Sequence, residues 1–394
     1  MRIGIDARFF GGEQSKGLGR YTQKLVEYLS LYDQTNSYTI FVQSEAYQHW
    51  SIKNKNFTPV LAPYHWYTIA EQIHMPRLIK KAQVDLMHFP HFNVPLFYND
   101  PFIVTIHDLI ILHFPTERAT TLGPWLYKIK HWAGKKVLRH AALKARKIIT
   151  VSEFSKKDIA NFFHLPLTSI MVTYEAAEKT TASPKNETQL LKQYHLIKPY
   201  LLYVGNAYPH KNLEKLLAVA IVLQKKYREN PPWQIVLVGK MDYFYERLRN
   251  KVIENHLENY FVFPGFVEDT QLSFLYHQAA AYIFPSLYEG FGLPPLEAMS
   301  YGTPVLAAHT SCLPEVLGKA AIYFEPNDVS GIIKVVSVLL SDERLRKNQR
   351  ELGFAQIQKY SWETMAKQTF LLYEKHKKKL STNSHQEKFN SATD

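Results

Sequence analysis

The amino-acid sequence predicts an α/β protein with two parallel-sheet domains, and three observations support that prediction. Short apolar runs typical of buried strands alternate with segments of helical apolar periodicity along most of the chain. A polar stretch at 178–189 interrupts this alternation near the middle, and the same pattern then starts again. The chain has 394 residues, of which 46% are hydrophobic, and it is too long to fold around a single hydrophobic core of ordinary size. The pattern in each half of the chain therefore predicts a doubly wound parallel sheet with helices on both faces.

The individual strands follow from the apolar runs. In the first half they are predicted at Arg2–Asp6, Tyr38–Val42, Val84–Phe89, Phe102–His107, Lys147–Val151 and Ile170–Tyr174. In the second half they are predicted at Tyr200–Val204, Gln234–Val238, Phe261–Phe263, Tyr282–Phe284, Val305–Ala307 and Ile322–Phe324. Helical patterns lie between them, including 18–29, 67–81 and 213–227.

These elements divide the chain into domains. We place an N-terminal domain at 1–180 and a C-terminal domain at 181–360, with the polar stretch at 178–189 as the linker. A helix at 361–380 is expected to pack back toward the N-terminal domain. The polar tail at 381–394 is expected to be disordered.

Composition narrows the function classes. The single cysteine, Cys312, excludes an internal disulfide and a cysteine-based metal site, and it fits a reducing cytoplasm. No stretch is long and apolar enough to predict a transmembrane helix, and Asp6 interrupts the first apolar segment, so no signal peptide is expected. The net charge of +12 is compatible with nucleic acid, anionic lipid or a phosphorylated small molecule as the partner.

Much of this positive charge lies in one segment. Residues 118–152 contain nine Lys or Arg and no acidic side chain, and they predict a basic amphipathic helix with tryptophans on one side. The helix is interpreted as docking to an anionic membrane surface. The residues assigned to this contact are Trp125, Lys128, Trp132, Lys135 and Arg139. The alternative is an ordinary surface helix whose tryptophans face the core.

The stretch Phe284–Glu297 is the most distinctive motif. A glycine-rich turn follows a predicted buried strand and leads into a predicted helix, and Glu289 and Glu297 bracket the turn. This pattern indicates a ligand cradle. Two carboxylates flanking a surface turn are the alternative.

Three further features indicate a phosphate-bearing ligand. Gly17 opens a helix after a strand and a glycine-containing loop, an arrangement that presents backbone N–H groups to an anion, although a simple glycine turn is equally compatible. Lys211 lies at a helix start, which is a poor place for a cation unless an anion binds there. His107 and Asp108 end a predicted strand, where ligands bind in parallel sheets; a packed, hydrogen-bonded histidine is the alternative for His107.

These motifs together resemble family 4 retaining glycosyltransferases, which have the GT-B architecture of two Rossmann-like domains facing each other across a cleft. The resemblance rests on the segments 288–305, 265–276, 204–212, 105–108, 150–155 and 17–21, and it covers nearly the whole chain. It implies that the donor is a nucleoside-diphosphate sugar. It also implies that the N-terminal domain at 1–180 binds the acceptor and that the C-terminal domain at 181–360 binds the nucleotide-sugar.

The resemblance also implies roles for individual residues. It assigns Glu289 to the hydroxyls of the transferred sugar, Glu297 to the ribose and His107 to the neighbourhood of the reacting carbon. Lys211 and the loop before Leu18 are expected to neutralise the diphosphate. The remaining donor-binding residues are the backbone of Phe291, Gly292 and Leu293, and the base-binding edge at Phe266 and Val267.

The sequence departs from the family at Asn206, where many members carry an arginine that contacts the diphosphate. Either His210 or Arg20 is expected to supply the charge, or the diphosphate is held less tightly. No carboxylate is identified as a nucleophile, so same-face attack through an oxocarbenium-like state is expected. Neither a metal nor another cofactor is expected.

The function implied is transfer of a hexose, with mannose as the specific candidate, to a glycan or lipid-linked acceptor in cell-surface polysaccharide assembly. The enzyme is expected to be cytoplasmic and peripheral on the inner membrane face. The alternatives are a catalytically weak scaffold that binds nucleotide-sugar or membrane, a nucleotide-sugar epimerase and, more distantly, a nucleic-acid-binding protein. The last has little support, because no recognisable nucleic-acid-binding module is present.

Overall fold

A computed structural model describes residues 1–11, 16–115, 124–178 and 187–390. The chain divides into two compact units. The first contains Met1–Leu109, Leu122–Glu175 and Ser361–Asp394, and the second contains Ile110–Thr121 and Ala176–Tyr360. Residues 110–121 thus group with the second unit, although they fall within the range predicted for the N-terminal domain.

The first unit is a seven-stranded parallel sheet in the order β3-β2-β1-β4-β5-β6-β7. Its strands are β1 (Arg2–Asp6), β2 (Ser37–Val42), β3 (Phe57–Leu61), β4 (Leu86–Phe89), β5 (Phe102–Thr105), β6 (Lys147–Thr150) and β7 (Ile170–Val172). Its helices are α1 (Lys16–Tyr32), α2 (Ser44–Gln48), α3 (Ile69–Ala82), α5 (Pro124–Lys144), α6 (Glu153–Phe163) and α15 (Trp362–Asn390).

The second unit is a six-stranded parallel sheet in the order β10-β9-β8-β11-β12-β13. Its strands are β8 (Tyr200–Val204), β9 (Gln234–Val238), β10 (Phe261–Gly265), β11 (Ala281–Phe284), β12 (Val305–Ala308) and β13 (Ala321–Phe324). Its helices are α4 (Ile110–His113), α7 (Glu187–Gln193), α8 (Glu214–Tyr227), α9 (Tyr243–Glu254), α10 (Asp269–Gln278), α11 (Leu293–Ser300), α12 (Leu313–Leu317), α13 (Val329–Ser341) and α14 (Glu343–Ile357).

The two sheets confirm the predicted α/β class, with every strand pair parallel. Central strands such as β4, β5 and β11 are buried along their whole length, which is why they appear in the sequence as continuous apolar runs. Sequence reasoning missed β3. It contains Pro59 and lies at the edge of the first sheet, the position in which a strand tolerates proline.

Helix α15 belongs to the first unit although it follows the second along the chain. Its Trp362 ring lies 6.4 Å from the ring of Tyr21 on α1, and the Tyr373 hydroxyl is 2.6 Å from Nδ1 of His88 on β4. The helix extends past residue 380 to Asn390. The tail predicted from 381 therefore lies in α15 up to Asn390, and its last four residues lie outside the described part of the chain. Most of the linker predicted at 178–189 also lies outside the described part.

Candidate active site

The carboxyl ends of β8 and β11 bring together two predicted donor-binding side chains. Lys211 follows β8 and Glu289 follows β11, and they are 78 residues apart along the chain. Lys211 Nζ donates a hydrogen bond to Glu289 Oε1 at 2.6 Å. Only 14% of the lysine side chain and 9% of the glutamate side chain are exposed. This edge of the second sheet therefore holds a nearly buried ion pair in the predicted cradle.

Backbone contacts hold the two loops against each other. The amide of Leu287 donates to the carbonyl of His210 at 2.7 Å. The amide side chain of Asn212 donates to the carbonyls of Pro285, at 3.2 Å, and Pro326, at 3.1 Å. The positions of Lys211 and Glu289 are thus set by the backbone as well as by their own attraction.

Burial sets the charge of the histidine next to this pair. His210 is 4% exposed, and burial, followed by the nearby charge of Lys211, lowers its pKa to about 4. The ring is therefore uncharged at neutral pH in this arrangement. This environment does not support the prediction that His210 supplies the positive charge that an arginine at position 206 would carry.

The loop that contains Asn206 is tightly packed. The Asn206 carbonyl accepts from the Tyr203 hydroxyl at 2.7 Å, and the Gly205 carbonyl accepts from the Tyr245 hydroxyl at 2.9 Å. A Cβ added to Gly239, which follows β9, would lie 2.2 Å from the Gly205 carbonyl oxygen. Only glycine at this position lets the loops after β8 and β9 approach so closely.

The second carboxylate of the motif lies on α11. Glu297 Oε2 accepts from the Tyr276 hydroxyl at 3.3 Å, and Tyr276 is itself buried. Gly292 caps the start of this helix with φ +91°, a left-handed conformation that suits glycine. The Glu289 amide is held by the Ser311 hydroxyl at 3.1 Å. The predicted backbone donors 291–293 thus lie at the amino end of α11, which favours negative charge.

The predicted base-binding edge follows β10. Phe266 is 65% exposed and Val267 is 2% exposed. An aromatic face at Phe266 is accessible to a ligand, whereas the Val267 side chain belongs to the core. Any contact from Val267 itself would come from its backbone.

The predicted histidine of the first unit forms a different pair. His107 follows β5; its Nδ1 lies 3.1 Å from Glu175 Oε1 and its Nε2 lies 3.0 Å from the Pro90 carbonyl oxygen. Both partners can accept a hydrogen bond, so this environment favours the ring with a proton on each nitrogen. Burial alone would lower the pKa of His107, but the hydrogen bond and charge of Glu175 outweigh it and raise the pKa.

A buried polar network surrounds this histidine. The Thr105 hydroxyl lies 3.0 Å from His88 Nε2 and 3.2 Å from the Tyr21 hydroxyl. The Tyr21 ring meets His107 edge-on, with centroids 4.7 Å apart. Sequence reasoning missed Glu175 in this group. The signal was available, because Glu175 follows β7 as His107 follows β5, and both lie at the carboxyl edge of the sheet.

The other predicted residues of the first unit are Gly17, Arg20 and Asp108. Gly17 and Arg20 are in the first turns of α1, and Asp108 directly follows His107. Residues 12–15 of the preceding loop lie outside the described part of the chain. Lys211, Glu289 and Glu297 belong to the second unit.

Sequence reasoning also missed the aromatic residue Phe114. Phe114 lies in 110–121, the segment that groups with the second unit, and its ring is 6.0 Å from both Tyr288 and His210. Tyr288 and His210 directly precede Glu289 and Lys211 in the sequence. No motif placed Phe114 at this site, because the contact depends on tertiary structure.

Helix α5 presents the predicted basic face to solvent. Trp132 is 58% exposed and Ile129 is 52% exposed, whereas Leu138 is fully buried. The alternative in which the tryptophans face the core is therefore wrong for Trp132; the side chain of Trp125 lies outside the described part. The basic residues Lys128, Lys135 and Arg139 are also exposed.

Within 1–11, 16–115, 124–178 and 187–390, no group of three or more His, Cys, Asp or Glu side chains could hold a metal ion. In the same ranges, no helix is both long enough and apolar enough to cross a membrane.

Two family models match the chain. The model described as "Glycosyltransferase Family 4" matches residues 16–176, and the model described as "Glycosyl transferases group 1" matches residues 190–356. Together they cover every strand of the two sheets except β1.

The curated relatives include two enzymes named for O-antigen synthesis. O-antigen chain mannosyltransferase B of Escherichia coli is 32% identical over 291 residues, which cover 73% of this chain and 74% of the relative. O-antigen chain mannosyltransferase RfbU of Salmonella typhimurium is 28% identical over 277 residues, which cover 70% of this chain and 71% of the relative.

Solved structures share the fold. Sucrose-phosphate synthase from Thermosynechococcus elongatus matches with a TM-score of 0.71 at 19% identity, over 95% of this chain and 98% of that chain. Anabaena HepE in complex with UDP and glucose matches with a TM-score of 0.67 at 16% identity, over 95% and 99% of the two chains. At these identities the likeness concerns the fold alone.

Proposed function

The chain belongs to glycosyltransferase family 4, and from that premise we propose that it transfers mannose from a nucleoside-diphosphate donor to a glycan or lipid-linked acceptor in polysaccharide assembly. The choice of mannose and of polysaccharide is supported by the relatives named as O-antigen chain mannosyltransferases, since two of them align over about 70% of this chain.

The observation that carries this proposal is the Lys211–Glu289 pair at the carboxyl edge of the second sheet, with its 2.6 Å hydrogen bond. A diphosphate is stabilised by a cation, and the hydroxyls of a hexose donate hydrogen bonds to a carboxylate. Lys211 and Glu289 offer this cation and this carboxylate within reach of a single ligand. Donor binding would replace their mutual contact. Lys211 would then contact the departing phosphate and Glu289 the sugar hydroxyls, while Glu297 accepts from the ribose.

We propose transfer with retention by same-face attack. The departing phosphate takes the proton of the acceptor hydroxyl as the sugar passes through an oxocarbenium-like state. Lys211 stabilises the negative charge that develops on that phosphate. His107, whose pKa is raised by Glu175, contributes a positive charge on its own unit when it is protonated. Neither a metal ion nor another cofactor is required in this scheme.

Helix α5 supports the further proposal that the enzyme works at an anionic membrane surface, as a peripheral protein of the cytoplasmic face. The exposed Trp132 and Ile129 supply apolar contact, and the exposed basic residues supply electrostatic attraction. Lys136 Nζ lies 3.9 Å from the Trp132 ring centroid, so charge and aromatic surface are adjacent.

The test is a transfer assay with GDP-, UDP-, ADP- and dTDP-mannose and a mannose oligosaccharide as acceptor. Wild type is expected to use one of these donors, and Lys211→Met and Glu289→Gln are expected to lose at least about a hundredfold in kcat/KM. Lys251→Met is the matched control, because Lys251 pairs with Glu214 at 3.1 Å on the exposed surface of the same unit.

Two outcomes would contradict the proposal. If wild type and both site variants are equally inert while nucleotide still binds, the chain is a binding scaffold, the reading that Asn206 favours. Activity is expected to persist in EDTA, and its complete loss there, with recovery on adding a divalent cation, would refute the metal-free scheme.

A further inference from the structure

Aromatic rings gather at one place on the first unit. Phe9 follows β1, Trp66 and Tyr67 follow β3, and His91 follows β4; we call these four residues the aromatic platform. Phe9 stacks on Trp66 with ring centroids 4.4 Å apart and an interplanar angle of 29°. His91 meets Phe9 edge-on at 5.5 Å, and its Nδ1 lies 3.5 Å from the Tyr67 hydroxyl. Rings from three separate loops therefore form one aromatic cluster.

The aromatic platform lies where a ligand site is expected in a sheet of this topology. The strand order reverses direction at β1, with β2 and β3 on one side and β4 to β7 on the other. Ligands bind in the crevice beyond the carboxyl ends of the strands at such a switch point. Phe9 and His91 come from the two loops that flank this crevice, and their rings are in contact.

A buried ionic network makes the aromatic platform rigid. Arg8 bonds Asp6 through Nε at 2.8 Å and through Nη2 at 2.7 Å. It also donates to the Tyr64 carbonyl at 2.9 Å and to Glu71 at 2.5 Å. Glu71 in turn accepts from the Tyr67 amide at 2.8 Å. Both ends of the segment 64–67 are thus tied to one buried cluster.

This rigidity fits a binding role because it fixes an unusual backbone. Tyr67 has φ +63°, a left-handed conformation that is uncommon for a bulky residue. Strain of this kind persists where the surrounding structure holds it, and it concentrates at functional sites. Tyr67 nevertheless leaves 52% of its surface exposed, and Trp66 and His91 are half-buried. Phe9 is only 8% exposed and supports the Trp66 ring from the core.

The chemistry of the aromatic platform selects a neutral ligand. Arg8 is 3% exposed and its guanidinium is bonded to Asp6 and Glu71, so it cannot neutralise a phosphate from solvent. Burial, then the charges of His107 and Arg8, lower the pKa of His91 to about 3, so this ring is also uncharged. Flat aromatic faces edged by a hydroxyl and an imidazole complement a pyranose ring, which has apolar C–H faces and a polar rim.

We propose that the aromatic platform is the acceptor subsite and that it stacks a neutral sugar ring of a glycan acceptor. The inference rests on the proposed function, because only a transferase has an acceptor. It specifies what is recognised in either of the two acceptor classes named there, a glycan or a lipid-linked acceptor. The group recognised next to the reaction is a saccharide, whether that saccharide is free or carried on a lipid.

Binding of mannotriose without donor tests the inference apart from turnover. Affinity is measured by saturation-transfer NMR and calorimetry for wild type, Trp66→Ala and Trp66→Phe, with Phe162→Ala as control. Phe162 is a 48% exposed aromatic residue on α6 of the same unit. Trp66→Ala is expected to lose about fivefold to tenfold in affinity, while Trp66→Phe keeps most of it and the control is unchanged.

Several results would overturn the proposal. One is equal affinity of wild type and the folded Trp66→Ala variant for mannotriose. Another is a wild type that binds decyl phosphate at this surface but not mannotriose. If mannotriose binding weakens as expected while no donor supports transfer, the saccharide site stands and the proposed catalytic function fails. Where transfer occurs, Trp66→Ala is expected to raise the acceptor KM and leave the donor KM unchanged.

Discussion

Replacing Lys211 by methionine should destabilise the second unit even without a ligand. The change removes one partner of a 2.6 Å ion pair and leaves the Glu289 carboxylate with only 9% of its side chain exposed. Two unit charges at 2.6 Å attract each other by about 6 kcal/mol at an effective dielectric constant of about 20. Desolvation of both ions offsets most of this attraction, and we expect a net loss of about 2 kcal/mol.

The measurement is a double-mutant cycle of Lys211→Met and Glu289→Gln, followed by thermal unfolding. For a unit of this size, about 2 kcal/mol corresponds to a Tm lower by about 4–8 °C. The double variant is expected to be more stable than the sum of the single losses implies, with a coupling of about 1–3 kcal/mol, because no isolated charge remains.

An exposed ion pair in the same unit provides the comparison. Lys251 and Glu214 are 3.1 Å apart, but their side chains are 36% and 49% exposed. Their coupling is expected to be below about 1 kcal/mol. If the Lys211–Glu289 coupling is no larger than this, or if Lys211→Met leaves the Tm unchanged, the pair does not hold the loops and the reasoning is refuted.

Three other predictions concern the remaining sites. Because the pKa of His107 is raised, protonation of this ring stabilises the folded state fully below about pH 6.5, and the stabilisation is lost as pH rises through the pKa of the folded protein. Glu175→Gln should lower the pKa of His107, as measured by NMR titration of the ring. Gly239→Ala should abolish donor binding in a thermal-shift assay, because its Cβ would lie 2.2 Å from the Gly205 carbonyl oxygen. Trp132→Ala should weaken sedimentation with anionic vesicles at least about threefold, and unchanged binding would remove α5 from the membrane contact.

Most of the fold could be predicted from sequence because its core strands are buried on both faces. Such strands appear as continuous apolar runs, and the predicted β1, β8 and β9 agree with the structure residue for residue. The edge strand β3 could not be predicted in this way. All of its residues except Phe57 are at least partly exposed and Pro59 interrupts the run, so neither periodicity nor propensity identifies it.

The candidate site was predictable only where its residues are close in sequence. Glu289, Gly292 and Glu297 lie in one strand–turn–helix segment, and local geometry alone places them at one sheet edge. The contact between Lys211 and Glu289 depends instead on β8 and β11 being neighbours, which the sequence order of the strands does not reveal. The charge of His107 likewise depends on Glu175, 68 residues later, and on burial.

The sequence by itself therefore determined the class of fold, the family and the residues that carry the motif, because apolar periodicity and short-range spacing are local properties. Only the tertiary structure decided that His210 is uncharged in this arrangement, that the pKa of His107 is raised and that four rings from three loops form one cluster. These properties arise from burial and from contacts between distant segments, which no stretch of sequence contains.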